Sequence, residues 1–178
     1  MEIKEVLEKL SFAKNLSSSE AEPSMNLIMS GEVNSEQVAG FLTAMRLKGE
    51  TIEELTAFVK VMREKAVKVN VDVEGAVDLV GTGGDKSGTF NISTISAVVV
   101  AGAGVPVIKH GNRSASSKCG SADVLAQLGA KIELDHKAVE SVYNDVGMSF
   151  MFAPMFHPAM KYVMPARKAL GFRTFFNI

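Results

Sequence analysis

Apolar residues recur at helical spacing through the first third of the chain: Ile3, Val6, Leu7 and Leu10 share one face, and Ala21, Met25, Ile28 and Met29 share another. The second stripe predicts a helix entered through Ser19, with Glu22 completing a capping box, and stopped by Gly31. Asn34 then caps a stripe of Val38, Phe41, Leu42 and Met45 that ends at Gly49. Thr51 with Glu54 opens a fourth helix carrying Leu55, Phe58, Val59 and Met62. Four amphipathic helices in succession predict a small bundle. Its methionine and phenylalanine stripes fit a core first and a dimer surface second.

From about Val69 the pattern changes to short β-branched runs alternating with glycine-rich turns and helical stretches, which predicts an α/β domain with a parallel sheet. Strands are predicted over 76–80, 105–109, 131–134 and 149–152. Helices are predicted over 93–103, 121–128 and 137–146, with Gly129 and Gly147 as stops. The fold class expected is therefore α/β: an N-terminal helical bundle domain over 1–68, then an α/β domain with a mainly parallel sheet over 69–178. The second domain is expected to be incomplete at its C-terminus, with 158–171 able to pack on the helices. The apolar stretch 172–178 is open to two readings, a docked terminal strand or a break within a larger open sheet.

Composition narrows the function only by exclusion. A hydrophobic share of 47%, 22% charged residues and a net charge of −1 describe a globular chain with no general pull toward nucleic acid or anionic lipid. The only cysteine, Cys119, excludes an internal disulfide framework and suits a reducing cytosol. The opening MEIKEVLEKL alternates charge and does not resemble a signal peptide. The longest nearly apolar run, 97–108, contains two glycines and a proline and is too short for a bilayer core of about 30 Å. A cytoplasmic location, with neither membrane nor nucleic acid as partner, is expected.

Chemistry concentrates where predicted strands turn into predicted helices. Leu79 leads into GTGGDKSGTFNIST, whose four glycines within eight residues let peptide N–H groups wrap an anion at a helix start. Its spacing matches neither a dinucleotide fingerprint nor a Walker loop. Asn91, Ser93 and Thr94 add side-chain oxygens suited to sugar hydroxyls, phosphate or a metal, although Ser93 serves equally as a helix cap. A second cluster, KHGNRSASSKCGS, gathers Lys109, Arg113 and Lys118 with Ser114, Ser116, Ser117 and Ser121, donors suited to a pyrophosphate and a 5-phosphate. His110 has no carboxylate at a spacing that marks a general base. A third region, 151–171, is broken by prolines and holds Arg167, which either lies on the surface or pairs with a small carboxylate, with His157 or Tyr162 beside it.

Taken together, GTGGD with TFNIST, KHGN with RSASSKCGSADVL, and FAPMFHPAMKYVMPARKALGFRT resemble the anthranilate phosphoribosyltransferases across essentially the whole chain. The resemblance implies transfer of phosphoribosyl from phosphoribosyl pyrophosphate (PRPP) to anthranilate in tryptophan biosynthesis, by a Mg2+-dependent enzyme that dimerises through its helical domain. It assigns PRPP to Gly81, Gly84, Asp85, Thr89, Asn91, Ile92, Ser93 and Thr94, and to Lys109, His110, Gly111, Asn112, Arg113, Ser114, Ala115, Ser116, Ser117 and Ser121. Ser93 would also ligate one Mg2+. Anthranilate would meet Gly81, Asn112, His110 and Arg167, the last through its carboxylate. No residue is implied as acid, base or nucleophile. One departure accompanies the match: family members run about as long again, and their second metal site uses an Asp-Glu pair that occurs nowhere in this sequence. The resemblance therefore favours the broken-sheet reading of 172–178 and implies weak or absent turnover for these residues alone.

Two rivals remain. A pyrimidine nucleoside phosphorylase-like enzyme would share the fold, but Arg167 and KHGN argue against it. A non-enzymatic nucleic-acid-binding homologue would need a strongly basic face, which a net charge of −1 disfavours.

Overall fold

Helix formation at the front of the chain is decided at its caps. The computed structural model describes residues 2–81, 90–114 and 119–177. It places α1 at Ile3–Ser11, α2 at Ser18–Ser30, α3 at Ser35–Lys48 and α4 at Ile52–Lys65. Asn34 accepts from Gln37 N at 2.8 Å, and Thr51 with Glu54 forms the predicted box at the start of α4. The box of α2 lies two residues earlier than predicted, on Ser17 and Glu20. Serines at 17, 18 and 19 all suit a cap, and Ser17–Glu20 has the same spacing as Ser19–Glu22. Lys9 breaks the tie by holding the Glu20 carboxylate at 2.7 Å, whereas Glu22 turns to Lys60 at 2.8 Å. Gly31 ends α2 in the left-handed conformation at φ 79°.

The chain divides into two units. The first comprises Met1–Ala66 and His157–Ile178, so the segment after 156 groups with the helices. There the prolines cut what would be one helix into a 3-10 turn, Pro158–Tyr162, and α5, Met164–Leu170. The core of this unit contains Val6, Leu10, Met25, Ile28, Val38, Phe41, Leu42, Met45 and Phe58. On α4 the buried face is Glu54, Ala57, Phe58 and Val61, rotated from the predicted stripe, and Val59 is exposed. The cause is Glu54. Its carboxylate is fully buried, accepting from Leu16 N at 2.7 Å, Thr51 N at 2.8 Å and Lys48 Nζ at 2.8 Å, which turns the helix toward it.

The stretch 172–178 forms no strand among the described residues. It turns as a 3-10 helix, Phe175–Asn177, and inserts Phe175 between Phe58 (centroids 4.7 Å, stacked) and Phe41 (6.2 Å, edge-on). Apolar residues at a chain end are satisfied by a ring-lined hollow as well as by a sheet, and periodicity over seven residues does not distinguish the two.

The second unit, Val67–Phe156, contains α6 (Ile92–Gly102), β1 (Val107–Gly111), α7 (Ser121–Gln127), α8 (His136–Val146), β2 (Met148–Phe152) and a short α9 (Ala153–Phe156). The strands β1 and β2 are parallel, in a register that pairs Lys109 with Phe150. The predicted strand 76–80 joins β1 through one parallel bridge, Val77 to Val107, on the edge away from β2. A strand predicted over 131–134 does not form. Ile132 is buried against Ala122 and Phe152, but the local backbone bond is Leu134 N to Ile132 O, with no ladder partner. Burial of one side chain gave that segment its strand-like pattern.

Candidate functional site

Both predicted loops belong to the second unit, and their boundaries can be followed residue by residue. The first leaves the 76–80 segment at Gly81, beside which none of the described residues lies within 4 Å of where a Cβ would stand. Gly84, Asp85 and Thr89 lie outside the described residues, as do Ala115, Ser116, Ser117 and Lys118 of the second loop. The first loop ends at Asn91, the residue before α6, whose side chain is not used as a cap. Ser93 is the second residue of α6, so its N–H is one of the first-turn donors without an intrahelical acceptor. Ile92 is exposed, whereas Thr94 is buried and its N–H donates to Asn91 O at 3.0 Å.

The second loop grows out of β1, whose alternation places Val107, Lys109 and Gly111 on the buried side. Strand geometry thus forces a lysine into the interior, where its ammonium donates to Leu79 O immediately before the first loop. Burial pushes the Lys109 ammonium below the usual lysine range, a shift that Asp78 partly opposes. Asp78 also accepts from His110 N at 3.2 Å, and burial lowers the His110 imidazole. Gly111 has no room for a side chain: a Cβ would lie 2.7 Å from the Phe150 ring and against Ser121.

Beyond β1 the loop is pinned by its own polar groups. Asn112 O accepts from Ala122 N at 3.1 Å and from Ser121 Oγ at 3.2 Å, while Asn112 Oδ1 accepts from Arg113 N at 2.8 Å. Asp123 Oδ2 accepts from Ser114 N at 3.0 Å and Gly120 N at 2.8 Å, and its Oδ1 pairs with Arg113 at 3.1 Å. The Arg113 guanidinium lies 5.7 Å over the Phe152 ring. Asn91 Nδ2 donates to Gly120 O at 3.4 Å, joining the end of the first loop to the end of the second. The loops are therefore adjacent where they begin, at Leu79 and Lys109, and where they finish, at Asn91 and Gly120. Two carboxylates that shape this arrangement, Asp78 and Asp123, were not singled out from the sequence. Asp123 is the third residue of the α7 turn, a spacing that marks a capping acid.

Arg167 belongs to the first unit. Its guanidinium donates to Asn177 Oδ1 at 3.1 Å and lies 5.3 Å over Phe176, and burial lowers its pKa from the ordinary arginine range. Among the described residues no three His, Cys, Asp or Glu side chains gather as a metal site, and no helix is long and apolar enough to cross a membrane.

Residues 4–66 match the model described as "Glycosyl transferase family, helical bundle domain", and residues 73–178 match "Glycosyl transferase family, a/b domain". The chain is 54% identical over 176 residues to an anthranilate phosphoribosyltransferase of Pelotomaculum thermopropionicum, covering 99% of this chain and 51% of that protein. It is 54% identical over 173 residues to the enzyme of that name from Methanopyrus kandleri, with coverage of 97% and 51%. The chain thus spans about half the length of the curated relatives it matches. Among solved structures it resembles anthranilate phosphoribosyltransferase from Thermus thermophilus, with TM-score 0.88 and 44% identity over 96% of this chain and 52% of that one. It also resembles the Saccharomyces cerevisiae enzyme in complex with PRPP and Mg, with TM-score 0.89 and 30% identity over 99% and 53%.

Proposed function

The chain belongs to the glycosyl transferase family defined by these helical bundle and a/b domains, and from that membership we propose that it serves transfer of phosphoribosyl from PRPP to anthranilate. The products are N-(5-phosphoribosyl)anthranilate and pyrophosphate, a step of tryptophan biosynthesis in the cytoplasm. The observation that carries the reading is the convergence of the two loops, bracketed by Lys109 on Leu79 and by Asn91 on Gly120. A doubly phosphorylated sugar needs cations and N–H donors gathered on one locus, and this arrangement supplies it.

In the reaction the C1–O bond to pyrophosphate breaks as the anthranilate nitrogen bonds to C1, and the amine loses a proton. The protein's part is to hold the two reactants in line and to stabilise negative charge on the departing pyrophosphate. Lys109, Arg113 and the Ser93 N–H of α6 are assigned to the donor's phosphates. Asn91 and Ser93 are assigned to its sugar and inner phosphate. Gly81, His110 and Asn112 are assigned to the acceptor.

Mg2+ prefers six oxygens, keeps several waters and often shares substrate phosphates. The described residues suit an ion that arrives with the donor, to which Ser93 adds one hydroxyl, and not one caged by protein side chains alone. When bound, Mg2+ neutralises charge on the pyrophosphate. A homodimer is proposed to form through the helical unit, whose surface exposes Phe12 and Leu47.

Calorimetry tests the donor site. Titration of PRPP with Mg2+ into the chain should release binding heat that a Ser93→Ala, Lys109→Ala double variant loses. Equal heats from both would remove the donor from this site.

A further inference from the structure

The described ends of the second loop meet at one side chain. Residues on its two limbs, Ser114 and Gly120, aim their N–H groups at the same oxygen, Asp123 Oδ2, at 3.0 and 2.8 Å. The other oxygen holds Arg113 at 3.1 Å, and Arg113 covers Phe152 of β2. These bonds hold the Asp123 carboxyl below its ordinary range, the two backbone N–H groups contributing most. A glycine at 120 is required here, because a Cβ would lie 2.7 Å from the Arg113 carbonyl carbon and 2.9 Å from Asn112 O. A carboxylate beside a proposed phosphate site opposes an anionic ligand by charge, so it needs another use to be there.

We propose that Asp123 is a positioning residue that closes a hydrogen-bonded ring through Ser114 N, Gly120 N and Arg113, and so presents Arg113 to the phosphorylated donor. The proposal rests on the functional reading above. Asp123 touches no reacting atom; it holds Arg113, Ser114 and Gly120 in place before the ligand arrives, which lowers the ordering cost of binding. The two oxygens have separable duties. An asparagine keeps one oxygen able to accept from both N–H groups but cannot pair with Arg113, whereas an alanine abolishes both.

The test compares the unsubstituted chain with Asp123→Ala and Asp123→Asn, each shown by circular dichroism to be folded. Amide hydrogen exchange at Ser114 and Gly120 is measured without ligand, and PRPP affinity with Mg2+ by calorimetry. Loss of protection at both amides in Asp123→Ala, with protection kept in Asp123→Asn, is the result expected. Donor affinity should fall about tenfold or more in Asp123→Ala, and by a smaller amount in Asp123→Asn, which keeps the backbone bonds but loses the pair with Arg113. Unchanged protection in Asp123→Ala overturns the ring, and unchanged donor affinity there overturns the positioning role. If the unsubstituted chain binds no donor, the functional reading fails, and the exchange data alone then decide the ring.

Discussion

Two buried charges show how the fold handles groups that water would otherwise solvate. Glu54 is surrounded by Leu16 N, Thr51 and Lys48, and although burial raises its pKa, those bonds outweigh the cost and lower it. Glu54→Ala leaves Leu16 N without its acceptor and the buried Lys48 without its counter-ion, and should cost about 3–5 kcal/mol in urea unfolding. A Lys48→Met, Glu54→Leu double variant should recover only the part of that loss due to the stranded Lys48 charge, because Leu16 N and Thr51 N still lack their acceptor; no recovery at all would mean that the stranded charge is not part of the cost. Lys109 has less compensation. Its folded-state pKa is lowered, so it sheds its proton at a lower pH than an ordinary lysine. Donor affinity should therefore fade on the alkaline side, and Lys109→Arg, which keeps its charge, should remove that limb from the pH profile of binding.

Glu20 sets an acid limit. Hydrogen bonds from Lys9 and Ser17 lower it from 4.5 to about 2. A depressed carboxyl stabilises the fold fully above the unfolded value and loses that contribution as pH falls through the folded one. The Tm of the parent should therefore drop between pH 4.5 and about 2 more steeply than that of Glu20→Gln.

Elements were legible in sequence to the extent that one local signal decided them. The stripe of α3, its Asn34 cap and its Gly49 stop needed nothing beyond their own neighbours. The box of α2 was ambiguous because Lys9, in another helix, selects between two equal spacings. The strand at 131–134 failed because a ladder depends on a partner that local pattern does not report. At the site, the glycine loop and the KHGN cluster were readable from residue type. Asp78 was not, since it acts on His110 N in a distant strand, and Asp123 was legible only as a cap of α7, its reach to Ser114 being set across the loop. Gly31 shows how closely an element's end is fitted: a Cβ there would lie 2.5 Å from the Tyr162 ring on top of its φ of 79°. Gly31→Ala should cost about 2 kcal/mol or more. Gly171→Ala, with φ 66° and open space around it, should cost about half that in the same unfolding experiment.

At the scale of the whole chain, the helical unit is discontinuous: it is interrupted after Ala66 and resumes at His157. Its aromatic cluster draws Phe41 and Phe58 from before the interruption and Phe175 from after it. Phe175→Ala should destabilise this unit by about 3–5 kcal/mol, read as an earlier loss of its protected amides in hydrogen exchange.

That late phenylalanine has a consequence during synthesis. A ribosome making this protein releases the first four helices long before the ring that seals them, so they must wait, unsealed, while Val67–Phe156 emerges. Nascent chains arrested before Phe175 clears the exit tunnel should be cut readily by protease within residues 1–66, and chains arrested well past it should resist.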